Sequence, residues 1–425
     1  MHRIASFCFL TIAAAVGQAA DWAEFRGPKR DGVCTETGLL KEWPKEGPPK
    51  VWTAKNLGLG FAAPTIADGK IFGMGTRDGK DGVWALKEAD GSELWFTPFD
   101  DPRKTNQNNG PSGSPTISGG KLYAVSSNGK FVCLDVADGK KVWGVDYVAD
   151  YGARVPQWGF TDSPLVDGDK VIGIPISSSA TIVALNKETG KEIWKSAIPG
   201  GAGGGAGYSS AIKATIAGAP QYVLLTGDRG GVIGVGAEDG KLLWQYKDKP
   251  AAGGVAQIPI PIINGDLVFV SCSYRGGAAL LRIIADSGNF KAEVVKSYDI
   301  SKLNNHHGGM VQVGDYAYFG HDRNKGLPVC VDLKSGDIKW GPIRTPPGGG
   351  GGSAAVLYAD GRLYFRYDNG KLVLIEPSPD GLKVVSSFEL PELSRLQSWP
   401  HPVIANAKLY IRDQEKMHCF DVKAK

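Results

Sequence analysis

Cysteine is scarce in this chain, with six residues in 425. Cys8 falls in an N-terminal apolar segment, and the remaining five are an odd, thinly spread set that draws no disulfide framework. No C-x-x-C or C-x-x-C-H occurs, which excludes a zinc ribbon and a c-type haem as sequence readings. H-E-x-x-H and G-x-S-x-G are missing too, so the zinc-protease and commonest serine-hydrolase signatures are absent. The glycine runs at 200–207 and 348–352 are not followed by Gly-Lys-Ser/Thr, so neither reads as a phosphate loop. GVGAEDG at 234–240 lies inside a hairpin and is no dinucleotide fingerprint. Neither sign of charge dominates: 48 basic against 44 acidic residues give +4, with no Lys/Arg run. A nucleic-acid partner would need a concentrated basic face, so none is expected. Beyond the N-terminal segment no apolar run is long enough to span a membrane.

Glycine and tryptophan are abundant instead, at 59 and 11 residues. That is about twice the usual glycine content, with no Gly-X-Y period to suggest collagen. With 42% hydrophobic and 22% charged residues the chain is not a disordered one. Many turns and large aromatics together point to an all-β fold with tight corners.

The first residues read as an export signal. Met1-His2-Arg3 is positive, Ile4 to Val16 is apolar or small, and Gly17-Gln18-Ala19 supplies a small-residue cleavage site. Cleavage is expected after Ala19 or Ala20, giving a signal peptide over 1–19 and a periplasmic or secreted mature protein. Phe7 before Cys8 argues against a lipoprotein acceptor.

One phrase recurs. ALKEADGSELW ends at Trp95, CLDVADGKKVW at Trp143, ALNKETGKEIW at Trp194, GVGAEDGKLLW at Trp244 and CVDLKSGDIKW at Trp340. In all five, glycine stands four residues before tryptophan. A second phrase precedes each, as in APTIADGKIF, SPTISGGKLYAV and SPLVDGDKVIGI, and weaker copies bring the strand-turn-strand starts to eight. A period of about 40–50 residues with four short strands per unit is a β-propeller blade. The glycine fits the hairpin before the outer strand, where positive φ is wanted, and the tryptophan wedges against the neighbouring blade. The last unit, from His401, stops after three strands, and the strand at Trp52 is expected to complete it and close the ring. The reading is an eight-bladed propeller over 51–425, preceded by an extended arm over 20–50. Cys133, Cys330 and Cys419 share the repeat position of Ala85 and Ala184, so they read as buried small hydrophobes in non-adjacent blades.

These repeats resemble the pyrroloquinoline-quinone (PQQ) repeat family, whose docking motif is A-x-D-x-x-T-G-x-x-x-W. ALNKETGKEIW is similar to it almost letter for letter, with Asn186 for the acid. The W-x-x-F-R-G-x-x-R-D-G stretch from Trp22 to Gly32 resembles the start of exported PQQ-like propellers of planctomycete type. The family includes quinoprotein alcohol dehydrogenases, polyvinyl-alcohol dehydrogenase-like proteins and the propeller lipoprotein of outer-membrane assembly, so the resemblance implies fold more than function. Its enzymes imply PQQ over a tryptophan floor, a calcium ion and an aspartate base. The sequence departs from them: it has no adjacent Cys-Cys pair, no long loop insertions and no haem motif.

Candidate site residues lie in the long loops that lead into each next inner strand, at the channel mouth. They are Asn108; Arg154, Gln157, Trp158 and Asp162; Tyr208; Gln257; His306 and His307; and Trp399 with His401. Trp158 and Trp399 stand outside the docking phrase and suit a ligand platform. Asp162 with Asn108 is the grouping that suits calcium. His306, His307 and His401 would make a metal site only if their loops meet. The expected function is a scaffold in the cell envelope, a monomer that binds a small molecule or an envelope protein at its mouth. The alternative is a quinoprotein-type alcohol or polyvinyl-alcohol dehydrogenase.

Overall fold

The computed structural model describes residues 21–104, 110–198, 207–227, 230–248, 256–344 and 350–425. The export segment expected over 1–19 and the candidate Asn108 lie outside the described residues. Eight antiparallel sheets follow one another along the chain, at 65–100, 116–146, 165–196, 212–246, 262–299, 310–340, 354–389 and 403–421. They are the eight expected blades, called blades 1 to 8 below. The strand Lys50–Ala54 pairs with Lys416–Asp421 as the outermost strand of blade 8, with Trp52 opposite Cys419, so the ring closes through the N-terminal strand. One short helix, Tyr147–Tyr151, interrupts the all-β pattern after blade 2. Asp146 caps it by accepting from the Val148 and Ala149 backbone N–H groups, and Gly152 ends it with φ +65°.

The core lies between blades rather than within them. Leu165, Ile172 and Ala184 of blade 3, for example, pack on Tyr222, Leu224 and Val235 of blade 4. A four-stranded blade has two apolar faces, and only its neighbours bury them.

The docking phrase acts across these interfaces. An added Cβ at Gly91 would meet the Trp52 ring at 2.7 Å, at Gly139 the Trp95 ring at 2.7 Å, and at Gly190 the Trp143 ring at 2.8 Å. Each tryptophan therefore lies on the hairpin glycine of the following blade. Those glycines have φ near +72°, so the position wants glycine for conformation and for space alike. The indole N–H groups of Trp52, Trp95, Trp143 and Trp340 donate to carbonyls of the following blade, Glu88, Val136, Lys187 and Ser378, at 2.7–3.3 Å. Opposite the tryptophans in register stand Cys419, Ala85, Cys133, Ala184, Gly234 and Cys330, which explains the small residue at that repeat position. The five described cysteines are all free and buried. All eight blades carry a register shift between the third and outermost strands, a bulge that strengthens the local twist.

The arm does more than lead into the ring, for it runs across the channel. Trp22 bridges Ile66 of blade 1, and the Ala23 carbonyl accepts from Ile117 of blade 2. Arg30 donates to the carbonyls of Ser163 and Pro164 before blade 3. Val33–Cys34 adds a parallel fifth strand to the inner edge of blade 7. One segment thus ties inner strands from opposite sides of the ring.

Candidate functional site at the channel mouth

The loops that enter the inner strands surround a cavity of about 680 Å³. Its floor is the arm, through Phe25 and Arg26. Arg26 is buried, and burial pushes its guanidinium down to about 10, with Asp31 opposing. It donates to the carbonyls of Asp31 and Met310 and to His401 Nδ1 at 3.1 Å. Because arginine has no acceptor, Nδ1 of His401 carries no proton, and its Nε2–H donates to the His307 carbonyl at 3.1 Å. His401 is therefore a neutral strut between floor and wall. Burial, with Arg26 beside it, pulls its imidazole down to about 3.

One wall is a stack of rings. His306 and His307 lie 3.4 Å apart, His307 stacks on Trp399 at 3.8 Å and 18°, and Trp399 stacks on Phe61 at 4.5 Å and 20°. Desolvation and the Arg323 charge lower His306 to about 3. Desolvation and the flanking His306 and His401 hold His307 well below the ordinary range. Ser353 Oγ sits 3.4–3.5 Å from Nδ1 of both. Tyr274 meets His306 edge-on at 5.0 Å, and the Arg323 guanidinium lies 4.4 Å above the Tyr274 ring. The far wall is Trp158, 40% exposed, set edge-on to the buried Tyr208 at 5.6 Å. Burial raises the Tyr208 phenol to about 12, so it stays a neutral hydroxyl.

The fold thus brings Trp158, Tyr208, His306, His307, Trp399 and His401 to one cavity. Trp399 is stacked with both His307 and Phe61, whereas Trp158 is 40% exposed. Gln157 lines an adjoining groove. Arg154 is exposed and lines neither space. Gln257 is fully buried and holds the Gly227 backbone N–H at 3.0 Å, a tie between loops. Asp162 turns away from the cavity and accepts from the Tyr147 hydroxyl and the Ile174 backbone N–H. Desolvation raises its carboxyl to about 6.

Sequence reasoning missed Phe25, Arg26, Phe61, Arg103, Tyr274 and Arg323. Phe25 and Arg26 had a signal, the W-x-x-F-R-G stretch. The others stand in loops with no repeat to mark them.

The charges at the mouth are one-sided. Among the described residues, Arg26, Arg103 and Arg323 line the cavity against the single carboxylate of Asp368. A calcium ion takes six to eight oxygen ligands, usually with several carboxylates. Among the described residues no group of three or more His, Cys, Asp or Glu side chains is placed to hold a metal. Both nitrogens of His401 are engaged, which removes it from the three-histidine grouping.

The profile of the family described as outer membrane protein assembly factor BamB matches residues 33–171 and 133–379. The chain belongs to this PQQ-repeat family. It is 25% identical over 393 residues to the outer membrane protein assembly factor BamB of Moranella endobia, covering 84% of this chain and 92% of that one. It is 30% identical over 183 residues to a quinoprotein ethanol dehydrogenase of Pseudomonas aeruginosa, covering 40% of this chain and 27% of the enzyme. The match thus spans about a quarter of that enzyme's length. Among solved structures, BamB from Moraxella catarrhalis superposes with a TM-score of 0.58 at 16% identity, over 88% of this chain and 98% of that one. The quinohemoprotein alcohol dehydrogenase of Comamonas testosteroni superposes with a TM-score of 0.65 at 13% identity, over 95% and 81%. These two likenesses show the fold. The protein is a BamB-like and quinoprotein dehydrogenase-like propeller, and no helix among its described residues is long and apolar enough to cross a membrane.

Proposed function

We propose that this protein is a binding scaffold of the cell envelope, exported to the periplasm or beyond, whose channel mouth receives an anionic ligand. The carrying observation is the mouth itself: a cavity of about 680 Å³, aromatic in its walls, cationic through Arg26, Arg103 and Arg323, and floored by the chain's own arm. Its volume is in the range of small-molecule sites, about 300–1,000 Å³. Cations set in low-dielectric walls focus field toward an anion. The full-length similarity to an outer-membrane assembly factor supports a scaffold in the envelope.

The similarity to quinoprotein alcohol dehydrogenases supports a second reading, oxidation of an alcohol with calcium-bound PQQ. The donor set does not suit it. Among the described residues Asp368 is the one carboxylate lining the cavity, Asp162 faces Tyr147, and the floor is Phe25 and Arg26 rather than tryptophan.

Calorimetric titration with PQQ, with and without calcium, tests the choice, alongside thermal shifts with citrate, benzoate and neutral inositol. The expected result is that the anions raise the unfolding temperature of the wild type and fail to do so in Arg103→Ala/Arg323→Ala, while calcium makes no difference to PQQ. Calcium-dependent, stoichiometric PQQ binding would return the protein to the oxidoreductases, and indifference to every anion would remove the binding reading.

A further inference from the structure

A second space of about 730 Å³ opens beside the channel mouth, between the 157–158 loop and the hairpin loops at 272–276 and 321–326. It shares Trp158, Tyr274 and Arg323 with the mouth cavity, so the two spaces adjoin at those three side chains. Among the described residues the groove adds Arg275, and Lys325 paired with Asp322 at 2.8 Å. Among the described residues, mouth and groove together hold Arg26, Arg103, Arg275 and Arg323 against Asp368, besides the Lys325–Asp322 pair. We propose that mouth and groove form one cleft for an acidic oligosaccharide, laid across Tyr274 with its anionic groups on the arginines of both halves. The proposal rests on the reading of the mouth as an anion site.

Three observations favour a sugar chain. The junction residues Trp158 and Tyr274 are 40% and 38% exposed and offer a pyranose apolar ring surface to lie against. Exposed amides at Gln157, Asn324 and Gln397 surround them and match sugar hydroxyls in kind. Tyr274 and Arg275 are also held at φ +54° and +79°, consecutive non-glycine residues in the left-handed region. Local turn chemistry prefers glycine or asparagine there, so a tyrosine and an arginine are kept against conformational preference, as happens at ligand sites. A peptide docking by strand addition would need an open strand edge. The backbone on this lip is already engaged, through Tyr208 N to Gln257 O, Ser273 N to Ala256 O and Asp322 N to Asn304 O.

The test is calorimetric titration of the mature protein with oligogalacturonates, dimer and hexamer, with cellohexaose and hexaglutamate as the neutral and peptide controls. The hexamer is expected to bind about tenfold more tightly than the dimer, because its second half binds at high effective concentration. Cellohexaose and hexaglutamate should each bind at least about tenfold more weakly than the uronate hexamer. Arg275→Ala/Lys325→Ala, confined to the groove, should bring the hexamer down to the dimer's affinity and leave the dimer unchanged. Tyr274→Gly should hold or raise the unfolding temperature, since it relieves the left-handed backbone, and should still weaken the hexamer. Equal affinity for dimer and hexamer would overturn the extended cleft, and the anion response of the mouth would survive it. Hexaglutamate binding as tightly as the uronate would overturn the sugar in favour of a peptide. Failure of all anions, citrate and benzoate included, would remove the mouth reading as well.

Discussion

Two sets of tryptophans in this molecule follow different rules. Trp52, Trp95 and Trp143 each lie on the hairpin glycine of the next blade and donate to a carbonyl there. Trp158 and Trp399 have no counterpart in other blades, and they face a cavity whose walls differ at every loop. The difference teaches where to look in a repeat protein. What recurs is explained by stacking one blade on the next, and what fails to recur is free to serve a ligand. Even within the ring the rule breaks where the phrase does. Blade 5 has no docking tryptophan, and Lys296 and Tyr298 cover Gly336 of blade 6 instead.

The comparison breaks most visibly if a docking pair is cut. Trp143→Ala should cost about 3–5 kcal/mol, the usual range for a large aromatic lost from a core. Gly190→Ala adds a Cβ 2.8 Å from that ring at φ +71°. The left-handed backbone costs about 1–2 kcal/mol, and crowding about 1–3 more. Once Trp143 is gone only the backbone cost remains, so the two changes should couple by about 1–3 kcal/mol. Denaturant midpoints for the four proteins of the cycle measure this. Additive effects would show that the indole does not rest on the glycine.

Fold and site were unequally legible in the sequence for the same reason. The glycine–tryptophan spacing encodes contacts that repeat, so blade number and closure through Trp52 could be read from pattern. The outer-strand bulges leave no residue signature and were not foreseen. The mouth depends on which loops converge, and convergence is a property of the closed ring. Six of the ten described candidates reach the cavity, because the loop before an inner strand must pass the channel. Asp162 and Gln257 sit in the same loops, yet their side chains turn into the blade interfaces to satisfy buried backbone and hydroxyl groups. The sequence marks the arm only as an extended segment before the ring. Its role as a floor rests on Arg26 and Arg30 reaching carbonyls more than 130 residues away, which no local pattern marks.

Acid should separate the two regions by sign. His306 and His401 at the mouth are held down to about 3, against about 6.5 in the unfolded chain. Below about pH 6.5 the unfolded state takes up protons that the folded state refuses, so each histidine costs up to about 1.4 kcal/mol per pH unit until its folded value is passed. Asp81 and Asp162 between strands and blades are raised to about 6, chiefly by desolvation. Their folded forms take up protons first, so they stabilise the fold as pH falls from about 6 to about 4. His401→Gln keeps a hydrogen-bonding strut without a titrating group and should flatten the loss of stability between pH 6.5 and 4. Asp81→Asn should steepen it. Stability curves of the two variants that parallel the wild type would mean these groups do not titrate as buried ones.

The smallest expected effect sharpens the comparison most. Trp158 makes one edge-on ring contact, to Tyr208, and leaves 40% of its surface to solvent. Substitutions at such positions usually change stability by less than about 0.5 kcal/mol. Trp158→Ala should therefore leave the denaturant midpoint almost where it was, although it removes as large a side chain as Trp143→Ala does. Its effect should fall on the anion response of the mouth, which loses the more exposed of its two exposed aromatic rings, Trp158 and Tyr274. If Trp158→Ala instead unfolds the protein as Trp143→Ala does, the indole is part of the ring's packing. The distinction between repeating and non-repeating tryptophans then fails at the residue where it matters most.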